Sequence, residues 1–95
     1  MHIGRVIGTV VATRKDDTLV GCKLMITQPL SIEYKPKGEP IITVDTVGAG
    51  IGEVVIYTKG TAARIAALRK ESSIDAAIVG IVDNVDVYKE LLEEK

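Results

Sequence analysis

The sequence predicts a mainly β protein, a small five-stranded OB-like barrel with one short helix between strands four and five and a short C-terminal helix. Three observations carry this reading. Apolar residues make up 46% of the 95-residue chain and are mostly Val, Ile, Leu and Ala, a β-branched excess that favours strands. They fall into five short runs, and the runs are parted by turns rich in Gly, Pro and Asp. A chain of this length makes one domain, read as a barrel over residues 1–87 with a helical tail over 88–95. A domain this small buries a little under ~70% of its unfolded surface, so oligomerisation would help it.

Residues 3–13 form the first strand, with Val6, Val10 and Ala12 on one face and Ile3, Ile7 and Val11 on the other. Both faces are apolar, as in a strand covered twice or curved into a barrel, and Gly8 would allow a bend. Residues 14–18 make a polar turn, and residues 23–30 a second strand closed by Pro29. Residues 33–40, EYKPKGEP, are an exposed hairpin loop. The third strand, residues 41–47, sets Ile42 and Val44 against Thr43 and Asp45. The fourth, residues 53–58, ends at Gly60. Thr61 is an N-cap candidate for a helix over residues 62–70, with Ile65 and Leu68 on one face and the 71–73 segment breaking it. Residues 76–82, AAIVGIV, read as a central strand. Tyr88, Leu91 and Leu92 lie at helical spacing in residues 87–95.

Composition excludes several classes of function. Twelve basic residues against thirteen acidic give a net charge of −1, and Tyr34, Tyr57 and Tyr88 are the only aromatics, so nothing draws the chain to nucleic acid. The single cysteine, Cys22, fits a reducing cytosol and reads as a small buried or half-buried side chain. The N-terminus does not read as a signal peptide, and no apolar run reaches the ~20 residues needed to span a bilayer, so a cytoplasmic location is expected.

The most unusual stretch is VDTVGAGIGEVV, residues 44–55, with glycine at 48, 50 and 52. A phosphate-binding P-loop needs a Lys-Ser or Lys-Thr and a helix behind the glycines; neither is present. A dinucleotide fingerprint needs GxGxxG opening a helix, whereas here the last spacing is short, Glu53 adds negative charge and EVVIYT is strand. Two readings stay open for Gly48, Ala49, Gly50, Ile51 and Gly52. Either the glycines serve only positive φ in a tight β-to-β connection, or their small size suits a place where backbones from several copies crowd together.

No catalytic constellation is found, and no metal or cofactor is expected. His2 has no second histidine as a partner ligand, and 83–86 lacks the later glycine and glutamate of a calcium loop. Asp75, Asp83 and Asp86 read as turn and cap residues. Arg64 is either a solvated side chain or a subunit-interface partner, the latter favoured by arginine's enrichment at interfaces.

Four blocks in this order resemble the EutN/CcmL family of bacterial microcompartment vertex proteins. They are RVIGTVVAT at 5–13, Lys23-Leu24 ahead of Gln28-Pro29-Leu30, VDTVGAGIGE at 44–53 and DAAIVGIVD at 75–83. The likeness runs from about residue 3 to 87, leaving the tail outside it. It implies a homopentamer of OB-like barrels that closes the fivefold vertices of a polyhedral shell beside hexameric shell proteins, a structural protein and not an enzyme. It also implies that the Gly48–Gly52 loop lies near the fivefold axis. There, five copies of Glu53 would repel, so each would be paired or hydrogen-bonded to backbone N–H groups, within or across the subunit boundary, or point away from the axis. The competing class is a small OB-type binding module for an oligonucleotide or small ligand.

Overall fold

In the computed structural model, which describes residues 1–13, 15–69 and 72–92, the strands are β1 (His2–Val10), β2 (Lys23–Leu30), β3 (Ile41–Asp45), β4 (Val54–Lys59) and β5 (Ala76–Ile81). They close into a barrel in the order β1-β2-β3-β5-β4. All pairings are antiparallel except β3 with β5, which run parallel through Val44↔Ala77 and Asp45↔Ile78. The helix α1 (Gly60–Ala66) joins β4 to β5, and a one-turn helix α2 (Lys89–Leu92) lies in the tail. Asp16 caps a 3-10 turn over Asp17–Leu19. The Thr18 backbone N–H and then its hydroxyl bond this carboxyl, holding it below the ordinary carboxylate range.

Strand alternation sorts the side chains. Val6, Met25, Val55, Tyr57 and Ile78 meet inside the barrel together with Ala49 from the loop after β3. Burial raises the Tyr57 phenol above its usual range. On the outside, Ala63 of α1 covers Val44, Ile74 and Ala77, with Leu19 and the half-buried Cys22 packed alongside.

In β3 the polar residue faces in. Thr43 is fully buried, its hydroxyl 2.9 Å from that of Thr27 and 3.5 Å from the Met25 carbonyl oxygen, while Ile42 is exposed. A buried hydroxyl left without a partner costs about 1–3 kcal/mol, whereas replacing both partners by apolar groups of the same shape is nearly neutral. Thr43→Val is therefore expected to lose about 2 kcal/mol in denaturant unfolding, and the Thr27→Val/Thr43→Val pair clearly less than the sum of the two single changes.

Several sequence expectations shift. The first strand stops at Val10 rather than at residue 13, and Ile7 is an extra residue bulged between Val6 and Gly8, so the bend falls at the glycine. On the face that carries Ile3 and Ile7, Ile3 is half-buried and Ile7 exposed, and Val11, beyond the end of β1, is exposed as well. The third strand ends at Asp45 because that side chain turns back to bind the loop, and the fourth begins at Val54.

Thr61 is not the N-cap. Lys59 is still paired with Ala76, and Gly60, at φ +64°, turns the strand directly into the helix. The helix is shorter than expected because Leu68 takes a left-handed φ of +59°. Arg69 N–H donates to Arg64 C=O and Leu68 N–H to Ile65 C=O, a Schellman closure with leucine where glycine is usual. Leu68 therefore lies past the helix end rather than on a face shared with Ile65, and both side chains are exposed. Arg14 of the expected polar turn, the helix end at Lys70, the breaker Glu71 and the tail residues 93–95 lie outside the described residues.

Candidate functional site

The loop between β3 and β4 is organised by Asp45. Its side chain is only 2% exposed. Oδ1 accepts from the backbone N–H groups of Val47 at 3.0 Å and Gly48 at 3.1 Å, and Oδ2 accepts from Ala49 N–H at 2.9 Å. An aspartate at a strand end can curl the following backbone round its own carboxylate in this way. Lys23 Nζ stands 3.6 Å from Oδ2 and donates to the Ala49 carbonyl at 3.2 Å, so the loop is gripped by both members of an ion pair.

The far side of the loop is fastened to β1. Gly52 N–H donates to Val6 C=O at 2.7 Å, Val6 N–H to Glu53 C=O at 3.0 Å, and Arg5 Nη1 to Gly52 C=O at 2.8 Å. Thr46 Oγ1 donates to Ile78 C=O at 2.6 Å.

The three glycines have different reasons for being there. Gly48 and Gly52 hold φ of +80° and +88°, which most residues adopt only under strain. At Gly50 the constraint is proximity rather than φ: a Cβ there would stand 3.3 Å from Glu53 Oε1, a tight approach to the atom that accepts the Gly50 N–H at 2.6 Å. The Glu53 carboxylate is thus bonded to backbone within its own loop. Ala49 is fully buried and plugs the barrel core, while Val47 and Ile51 are exposed.

Gly48 to Glu53 form one unit; Arg64 is not part of it. From α1, Arg64 Nη1 donates to Ile74 C=O and Nη2 to Thr61 Oγ1. Sequence reading missed Asp45, Lys23 and Arg5 as builders of the site. The aspartate directly before a Thr-Val-Gly turn was the signal available; nothing local marks the lysine and arginine, which arrive from other strands.

Among the described residues no group of three His, Cys, Asp or Glu side chains could hold a metal ion. No described helix is long and apolar enough to cross a membrane. His2 stacks on Tyr57 with centroids 5.1 Å apart. Its imidazole is held below its ordinary pKa by desolvation first and then by the amino terminus, Lys59 and Lys37.

A closed five-stranded barrel with this loop has counterparts among known proteins. The family described as "Ethanolamine utilisation protein EutN/carboxysome" matches residues 1–83. The chain belongs to the EutN/CcmL family. It is 49% identical over 86 residues to the bacterial microcompartment shell vertex protein GrpN of Rhodospirillum rubrum, covering 90% of this chain and 97% of that protein. It is 43% identical over 97 residues to the carboxysome shell vertex protein CcmL of Thermosynechococcus vestitus, covering 100% and 96%. The solved structure of GrpN, a pentameric microcompartment shell protein, superposes with a TM-score of 0.85 at 48% identity, covering 93% of this chain and 100% of that one.

Proposed function

We propose that this chain forms a homopentamer that caps the fivefold vertices of a bacterial microcompartment shell, as a structural protein without catalytic activity or cofactor. The observation that carries this is membership, over the whole barrel, of a family whose similar members are shell vertex proteins with a pentameric solved structure. Hexameric tiles alone make flat sheets; closing a polyhedron requires fivefold positions, and a cyclic pentamer with heterologous contacts supplies them. The exposed Ile7, Val11 and Ile42 on the barrel's outer surface support a chain that is covered by others.

In this assembly the Gly48, Ala49, Gly50, Ile51 and Gly52 loop faces the fivefold axis. A rigid loop is what a crowded axis requires, and Asp45, Glu53 and Arg5 supply that rigidity here. Glu53 and Arg64 lie toward subunit boundaries; the bond from Gly50 N–H to Glu53 reduces the repulsion of five carboxylates near one axis. The exposed residues at 15–17 and 33–40 are the candidate surfaces for contact with hexameric shell proteins. The near-neutral charge and the burial of Tyr57, 2% exposed, argue against a nucleic-acid platform. The protein works in the cytoplasm, within the shell, with no membrane partner.

Co-expression with hexameric shell proteins tests this reading. Closed polyhedra are expected with the chain present, and open sheets or elongated tubes without it. Closed polyhedra of unchanged form in its absence would refute it.

A further inference from the structure

The barrel end where β1 begins carries a groove of about 330 Å³, a volume within the range of small-ligand clefts. Ile3, Leu30 and Ile56 give it apolar walls, His2, Lys37 and Tyr57 supply polar groups, and no carboxylate lines it. The positive charge around it is uncompensated. Lys59 and Lys37 both act on His2, together with the amino terminus. The one ion pair among the described residues joins Lys23 to Asp45, so neither of these lysines has a carboxylate partner there.

Tyr57 gives an independent sign of a ligand. Its side chain is 2% exposed, yet its hydroxyl forms no hydrogen bond with the described residues. None of their fully buried polar atoms lacks a partner, so this hydroxyl reaches water, and the groove is where Tyr57 meets the surface. A buried tyrosine usually finds a partner for its O–H. Burial keeps the phenol protonated, and therefore a donor. Stacking on its ring holds the His2 imidazole at the same end of the barrel. A phenol, an imidazole and an ammonium beside apolar walls offer donors and positive charge at one side and hydrocarbon at the other. A carboxylate answers the first and a short alkyl chain the second.

We propose that this groove binds a small aliphatic carboxylate from solution, its oxygens meeting the Tyr57 hydroxyl and the Lys37 ammonium with His2 alongside, and its chain lying on Ile3, Leu30 and Ile56. The site is built within one chain and stands apart from the pentameric reading. The groups that face His2 are the amino terminus, Tyr57 and Lys59 of β4, and Lys37 from the loop after β2. An anion among these cations raises the imidazole pKa. By linkage, affinity then rises as the pH falls through that pKa, and the amino terminus, charging over a neighbouring range, works in the same direction.

The test is proton NMR of the imidazole in the untagged, assembled protein, where His2 is the only histidine. It is titrated separately with hexanoate, 1-hexanol, acetate and inorganic phosphate. Hexanoate is expected to give a saturable shift, half-complete at roughly 1 mM, and to raise the imidazole pKa. Its affinity should rise about threefold or more from about pH 8 to about pH 6. The other three should bind about tenfold more weakly or worse. An equal response to 1-hexanol would reveal an apolar groove alone, and an equal response to acetate or phosphate a screened basic cluster alone. Either result overturns the site, as does the lack of a saturable shift. Lys37→Gln and Tyr57→Phe remove side-chain groups that bond nothing within the barrel, so both should fold, and each should weaken hexanoate about fivefold or more. Unchanged affinity in either folded variant would also overturn it.

Discussion

Asp45→Ala is expected to lower thermal stability by about 3 kcal/mol, or roughly 15 °C in Tm at fixed protein concentration. The carboxylate is 2% exposed and accepts three consecutive backbone N–H groups while pairing with Lys23. Removing it leaves the Ala49 N–H beside the core with no acceptor and Lys23 without its carboxylate, holding only the Ala49 carbonyl. The donors of Val47 and Gly48 can turn to water, which keeps the loss near 3 kcal/mol rather than higher. Asp45→Asn keeps one acceptor oxygen but sets an amide N–H against a donor, so more than half of the loss should remain. The local signature is hydrogen exchange: the amides of 47–49 should lose protection in Asp45→Ala while those of β2 keep theirs. A Tm within 2–3 °C of the parent, less than about 1 kcal/mol, would mean that the loop is held by its β1 contacts alone.

Gly4→Ala is expected to be the most damaging single methyl addition, at about 3 kcal/mol. A Cβ at Gly4 would stand 2.5 Å from Thr27 Cγ2, 3.0 Å from the Gln28 carbonyl oxygen and 3.1 Å from Tyr57 Cε1. None of these can retreat. Thr27 is fully buried with its hydroxyl bonded to Thr43, Tyr57 fills the barrel, and the carbonyl belongs to the paired strand. Thr27→Ser deletes the nearest of the three atoms, so adding it to Gly4→Ala should recover part of the loss. Gly38→Ala is the contrast: φ is +82° but nothing lies within 4 Å, and about 1 kcal/mol is expected from backbone strain alone. Equal losses at Gly4 and Gly38, measured by denaturant unfolding, would show that space at β1 is not limiting.

The barrel was legible because its strands are short apolar runs rich in β-branched residues and closed by turns, although alternation is clear in only some of them and AAIVGI of β5 is buried at three consecutive positions. The bulge at Ile7 and the inward Thr43 were not legible, since both depend on which strand lies opposite. The same holds for the Schellman end of α1. With glycine absent from its C′ position, the apolar spacing of Ile65 and Leu68 suggested a longer helix than tertiary packing allows. The glycine loop stood out in the sequence, but the side chains that fix it did not. Lys23 and Arg5 reach it from β2 and β1, 26 and 47 positions from the carbonyls they bind. Gly4, the tightest glycine of all, carries no local mark, because its neighbours come from β2 and β4.

Native mass spectrometry of the purified chain at moderate salt tests the central claim most directly. The account predicts a single species of five chains. A monomer or dimer as the dominant species would contradict it, and would return the barrel to the class of small OB-type binding modules.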